Sequence, residues 1–135
     1  LAALDDGMSE VALITVCKAA EQGNALAQTL LGAIYCYGKG VPRDYQQAAS
    51  WYRKAAEQGL AEAQFSLGNM YRYGKGLPPD YEEAVSWYRK AGEQGYAEAQ
   101  FNLGIMYATG AGIAGGTGKL SGDIRQPANE YLQAP

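Results

Sequence analysis

Apolar side chains along this chain return every three or four positions, run for a few turns and stop at glycine. Ala63, Leu67, Met70 and Tyr71 show the spacing most clearly. Residues three and four apart overlie one another on a helix, so this period marks one buried helical face. It predicts a helix from about Ala61 to Tyr73. Gly74-Lys75-Gly76 ends it, because glycine takes the left-handed closing conformation without a steric penalty. Pro78 and Pro79 then block continuation. Asp80 opens a second helix that carries Tyr81, Ala84, Trp87, Tyr88 and Ala91 and ends near Gly95. Asp80 with Glu83 has the spacing of a capping box, as does Asp44 with Gln47. Only a few residues connect this helix to the next apolar stretch, and so short a link forces antiparallel neighbours.

The pattern repeats every 36 residues. Ala20-Glu21-Gln22-Gly23 returns as Ala56-Glu57-Gln58-Gly59 and again as Gly92-Glu93-Gln94-Gly95, and Trp51-Tyr52-Arg53-Lys54 returns as Trp87-Tyr88-Arg89-Lys90. About two-thirds of the positions in 19–54 are identical to their counterparts in 55–90. The predicted organisation is therefore a leading half-repeat over 1–18 that caps the array, repeats over 19–54 and 55–90, a truncated repeat over 91–113, and an irregular glycine-rich tail over 114–135. Within the leading piece, residues 8–18 align with a second helix, Met8 taking the place of Asp44. The fold class is all-α: a right-handed α/α superhelix of antiparallel helix pairs.

Composition changes the picture only where the repeat explains it. The chain has 18 Gly, and 11 Tyr against 2 Phe. Gly32, Gly68 and Gly104 lie inside the first helix of each unit, where glycine costs about 1 kcal/mol relative to alanine. A cost repeated at one position implies a neighbouring helix or an aromatic ring against the backbone there. Trp51 and Trp87 are read as core for the same periodic reason.

The first helices are expected to line a concave face. At 100° per residue, with the Ala, Leu, Gly and Tyr positions turned inward, the opposite arc holds Leu26, Thr29, Ala33 and Tyr37 in the first unit. It holds Glu62, Phe65, Asn69 and Arg72 in the second, and Glu98, Phe101, Asn102, Ile105 and Ala108 in the third. These positions vary between units while the inward ones do not, so they are the candidate partner-binding residues. Phe65 and Phe101 are the sharpest, since an aromatic in a groove can anchor a peptide or helix. The competing reading packs each against the neighbouring first helix.

The net charge of −3 and the lack of a basic run argue against nucleic acid as a partner. No apolar run reaches membrane-spanning length. The start of the chain at Leu1 has no signal-peptide layout and assigns no compartment. Histidine is absent, which removes the commonest general base and metal ligand. No cofactor, metal or catalytic residue is expected. Cys17 and Cys36 cannot complete a zinc site alone. On antiparallel helices they fall roughly 9 Å apart along the axis, too far for a disulfide. Gly115-Gly116-Thr117-Gly118-Lys119 fails the phosphate-loop spacing, with Ile113 and Leu120 where Gly and Ser or Thr are needed. Ser50 and Ser86 meet Arg53 and Arg89, not Lys, three residues on, so the Ser-x-x-Lys arrangement of serine β-lactamases is missing.

The string from Ala61 to Tyr71, followed by Tyr73-Gly74-Lys75-Gly76-Leu77-Pro78, Asp80-Tyr81, Ala84, Trp87-Tyr88 and Ala91, resembles the Sel-one-like repeat, a relative of the tetratricopeptide repeat with a longer interhelix loop. The resemblance covers about residues 8–113. It implies the superhelical fold above and a scaffold or adaptor role. Such roles occur in bacterial signalling, envelope and host-interaction proteins, often periplasmic or secreted, and in eukaryotic degradation complexes. Cysteine-rich relatives linked to penicillin binding carry a disulfide in each repeat, and the regular pairing is missing here. The expected function is a non-catalytic interaction module that binds a peptide or partner domain on the concave face. A β-lactamase-like hydrolase and a self-assembling structural piece are the alternatives. The half-unit at the C-terminal end is expected either to be covered by the tail, docked on 97–108, or to form a homodimer.

Overall fold

The computed structural model describes residues 9–111, which form six α-helices and no strand. They are α1 (Glu10–Glu21), α2 (Ala25–Tyr37), α3 (Tyr45–Glu57), α4 (Ala61–Tyr73), α5 (Tyr81–Glu93) and α6 (Ala97–Thr109). Each packs mainly on its neighbours in sequence, so the chain is a solenoid of antiparallel hairpins. Helix α4 has the boundaries that its periodicity predicts. The tail over 114–135, the glycine-rich stretch within it and Met8 lie outside the described residues.

The helix ends follow from single residues. Asp44 and Asp80 accept the backbone N–H of Gln47 and Glu83, each at 3.1 Å. Each such cap stabilises its helix by about 1 kcal/mol. Gly38, Gly74 and Gly110 close α2, α4 and α6 in the left-handed conformation at φ 67, 67 and 75°. Helix α1 begins after Ser9, one place beyond the Met8 position expected from the repeat. The Ser9 hydroxyl accepts the Ala12 N–H at 3.0 Å, which a methionine side chain cannot do as well. Asn24 caps α2 through Ala27, but Leu60 and Tyr96, its counterparts, make no side-chain cap bond. Both pack apolar surface at the junction between units instead.

Each hairpin closes on a glycine. A Cβ built on Gly32 would lie 2.7 Å from the Tyr52 ring, and one built on Gly68 would lie 2.8 Å from the Tyr88 ring. The glycines are therefore the seats of buried tyrosines on the facing helix. Trp87 is buried between units, among Ala48, Ala56 and Leu67, and its indole N–H has no partner. Trp51 departs from the expectation. It is only half-buried, because Val16, smaller than the Tyr52 at the matching place one unit on, offers it less cover.

Glutamines hold successive units in register. Gln58 Nε2 donates to Gly23 O (3.0 Å) and to Gln28 Oε1 (2.8 Å), and Gln28 Nε2 donates to Ala20 O (3.1 Å). Gln94, Gln64 and Ala56 repeat the chain one unit later, at 2.8, 2.9 and 3.2 Å. Gln28 and Gln64 are buried, so these bonds remove a desolvation penalty as well as adding attraction. At the other extreme, α1 exposes Val11 (74%) and Ile14 (55%) where Gln47 and Ser50 stand one unit on. Its outer face is more apolar than that of a polar terminal cap.

Candidate partner-binding face

Helices α2, α4 and α6 share one side of the solenoid, and two grooves run between them. The first, of about 490 Å³, lies between α2 and α4 and is lined by Cys36, Tyr37, Ser66, Asn69, Met70 and Tyr73, with Arg43, Tyr45 and Lys75 at its loop end. Tyr52 contributes to its wall. The second, of about 360 Å³, lies between α4 and α6 and is lined by Phe65, Ala97, Glu98, Phe101 and Asn102.

The residues predicted from the sequence divide by environment. Thr29 is buried, and its hydroxyl donates to Ala25 O, so it offers nothing to a partner. Ala33 packs partly buried against the core. The helical wheel placed both outward because it treats each helix alone and knows nothing of what packs on it. Phe65 is half-buried, its ring centroid 5.1 Å from that of Tyr96 and 5.8 Å from that of Tyr88. Phe101, one unit on, is 60% exposed. Glu62 and Glu98 are exposed, and Ile105 is half-buried.

Asn69, Arg72 and Asn102 converge on one atom. Tyr88 Oη donates to Asn69 Oδ1. Burial pushes the Tyr88 hydroxyl above its ordinary pKa, and hydrogen bonding to Arg72 and Asn102 partly offsets it. Tyr52 follows the same rule: burial raises its hydroxyl far out of the physiological range. These phenols stay protonated and act as fixed donors at the floor of the face. Sequence reasoning missed Arg43, Tyr45 and Lys75, which lie in the loops and at the start of α3. The Arg43 guanidinium stands 5.5 Å and the Lys75 ammonium 5.1 Å from the centroid of the Tyr45 ring. The signal for it was Gly76: a Cβ there would lie 2.3 Å from Tyr45 O, so this loop is pressed against the preceding unit.

Cys17 and Cys36 are both free thiols. Burial raises the Cys36 pKa, and the Lys75 and Arg43 charges only partly counter it. A protonated, half-buried thiol is a poor nucleophile. Among the described residues no group of three or more His, Cys, Asp or Glu could hold a metal, and no helix is long and apolar enough to cross a membrane.

The Sel1 repeat model matches residues 25–60, 61–96 and 97–134. The chain belongs to the Sel1-repeat family. The third match runs on through the stretch whose register is not readable by eye. A solved protective antigen present in uropathogenic Escherichia coli strains, displaying an SLR fold, is 43% identical over 76% of this chain, with a TM-score of 0.74. A Sel1 repeat protein from Oxalobacter formigenes is 35% identical over 92% of the chain, with a TM-score of 0.66. The chain spans 22% and 45% of the length of those two structures. No curated protein sequence matches it significantly. Sel1-repeat proteins are in general protein-interaction scaffolds, and the family is typically non-enzymatic.

Proposed function

We propose that this Sel1-repeat chain is a non-catalytic interaction module that takes a peptide or an extended segment of a partner protein across the face formed by α2, α4 and α6. The observation that carries this reading is the contrast between constant and variable positions in one fold. Leu31, Leu67 and Leu103 are buried alike in the three first helices. Places outside the core change from unit to unit: exposed Leu26, Glu62 and Glu98 at one, and exposed Leu30 with half-buried Ser66 and Asn102 at another. Packing explains the constant set and leaves the variable set free for recognition. The typically non-enzymatic character of the family weighs against the hydrolase alternative, whose site would fall in the tail over 114–135.

The test compares two exposed sites on opposite sides of the solenoid. Phe101→Ala removes an exposed ring from the second groove, and Ser86→Arg alters the exposed side of α5. With helicity unchanged by circular dichroism in both, peptide binding measured by calorimetry should weaken only in Phe101→Ala. Loss in Ser86→Arg alone would place recognition on the second helices and end this assignment.

A further inference from the structure

We infer that the groove between α2 and α4 is an acidic-peptide site, in which Arg43 and Lys75 receive an Asp or Glu side chain of a segment crossing the face. The inference rests on the interaction reading above and adds the chemistry of the partner. Both cations are held beside the same Tyr45 ring, and no carboxylate among the described residues pairs with either. The nearest acid in sequence, Asp44, spends its carboxylate on the α3 N-terminus, where it accepts the Gln47 N–H. Two like charges beside one ring repel each other, and an anion between them removes that repulsion.

The pair is not a by-product of the repeat. Lys75 repeats Lys39 one unit back, but Pro79 stands at the place of Arg43 one unit on, so the guanidinium that completes the pair belongs to this groove alone among the described loops. The locally positive groove also sits in a chain of net charge −3. Further donors line it. Asn69 uses its Oδ1 to accept from Tyr88, which leaves its amide nitrogen as a donor, and the Tyr52 and Ser66 hydroxyls, bonded to each other, stand in the same wall. A carboxylate beside two cations and neutral donors is the arrangement in which charge-assisted bonds form.

The anion comes from a side chain because of what lies next to the groove. Phe65, adjacent to Ser66 on α4, lines the second groove with Phe101. A segment that reaches both grooves passes through the first without ending there. The occupant is therefore an acidic residue followed or preceded by an apolar one.

Phage-displayed random decapeptides selected on the intact chain test this, with enriched peptides titrated by fluorescence anisotropy at low and high salt. Enriched sequences should carry Asp or Glu at a set distance from an apolar residue. Changing that acid to its amide should weaken binding about tenfold, as should high salt. The R43Q/K75Q double variant should lose the same factor, and Lys39→Gln, an exposed control, should lose nothing. Enrichment of peptides without a carboxylate, binding that depends on the free C-terminus of the peptide, or an R43Q/K75Q variant that binds like the parent would each overturn the acidic-site inference while leaving the scaffold reading in place. Absence of any enrichment would count against both.

Discussion

Gly68→Ala isolates the steric basis of the hairpin. In an open helix this change stabilises by about 1 kcal/mol, because alanine is the better helix former. Here the new Cβ would lie 2.8 Å from two carbons of the Tyr88 ring and 3.4 Å from Ala84 O. Carbon contacts are comfortable at about 3.5–4.0 Å, so the ring must retreat by at least about 0.7 Å. It has little room to do so: Tyr88 is fully buried, and its hydroxyl is tied to Asn69. Overpacking of this kind costs about 1–3 kcal/mol. Taking the upper part of that range for a pinned ring and subtracting the propensity gain leaves a net loss of about 1–2 kcal/mol. Urea unfolding followed by circular dichroism reads this directly, and a domain of this size should lose about 4–8 °C in Tm per kcal/mol. Gly92→Ala is the internal control. Gly92 occupies the α5 place filled by buried alanines at Ala20 and Ala56, so the same substitution should stabilise by up to about 1 kcal/mol. In a Tyr88→Leu background, where the ring is gone, Gly68→Ala should turn neutral or favourable, which a double-mutant cycle measures. A Gly68→Ala chain more stable than the parent would refute the claim that the ring seats on this backbone.

Three further outcomes follow from the packing. Gln64→Ala removes two hydrogen bonds, its Oε1 accepting from Gln94 and its Nε2 donating to Ala56 O, while Gln94 keeps Gly59 O and Ala56 O keeps the Gly59 N–H, and the loss should cost about 1–3 kcal/mol in urea unfolding; a change below half of that would mean that the glutamine chain is incidental. Trp87→Ala should cost about 3–5 kcal/mol, and Trp51→Ala clearly less, since Trp87 is 7% exposed and Trp51 only half-buried; equal melting shifts would contradict the difference in environment. Stability should also fall with pH above about 10. Tyr52 and Tyr88 have raised pKa values in the folded chain, so the unfolded chain releases their protons first. Their contribution is whole below the unfolded value of about 10 and is lost as pH climbs beyond it. Absorbance titration should show these phenols ionising only with unfolding, and a smooth titration of all tyrosines near pH 10 with no unfolding step would exclude that.

Much of the fold was legible because the chain states it repeatedly. The periodic apolar positions placed α4, and Asp44 and Asp80 marked the starts of α3 and α5 through a local side-chain-to-backbone bond. Gly68 announced a close approach because a costly residue recurred where nothing local needs it. The candidate face was read less well. A helical wheel treats each helix alone, so it turned Thr29 and Ala33 toward solvent, although the first is buried and the second partly so. It also confined the search to first helices, and so passed over the Arg43–Tyr45–Lys75 group, whose members come from two loops and the start of α3.

The sequence by itself determined the helices, their caps, the 36-residue period and the family, all of which depend on contacts within a turn or on a pattern repeated in line. Only the tertiary structure decided which tyrosine fills which glycine seat, how the glutamines bridge successive units, and that two cations meet beside one ring. Those features join residues separated by a hairpin or a whole unit. Their distances are set by how one helix pair stacks on the next, and no spacing along a single helix encodes them.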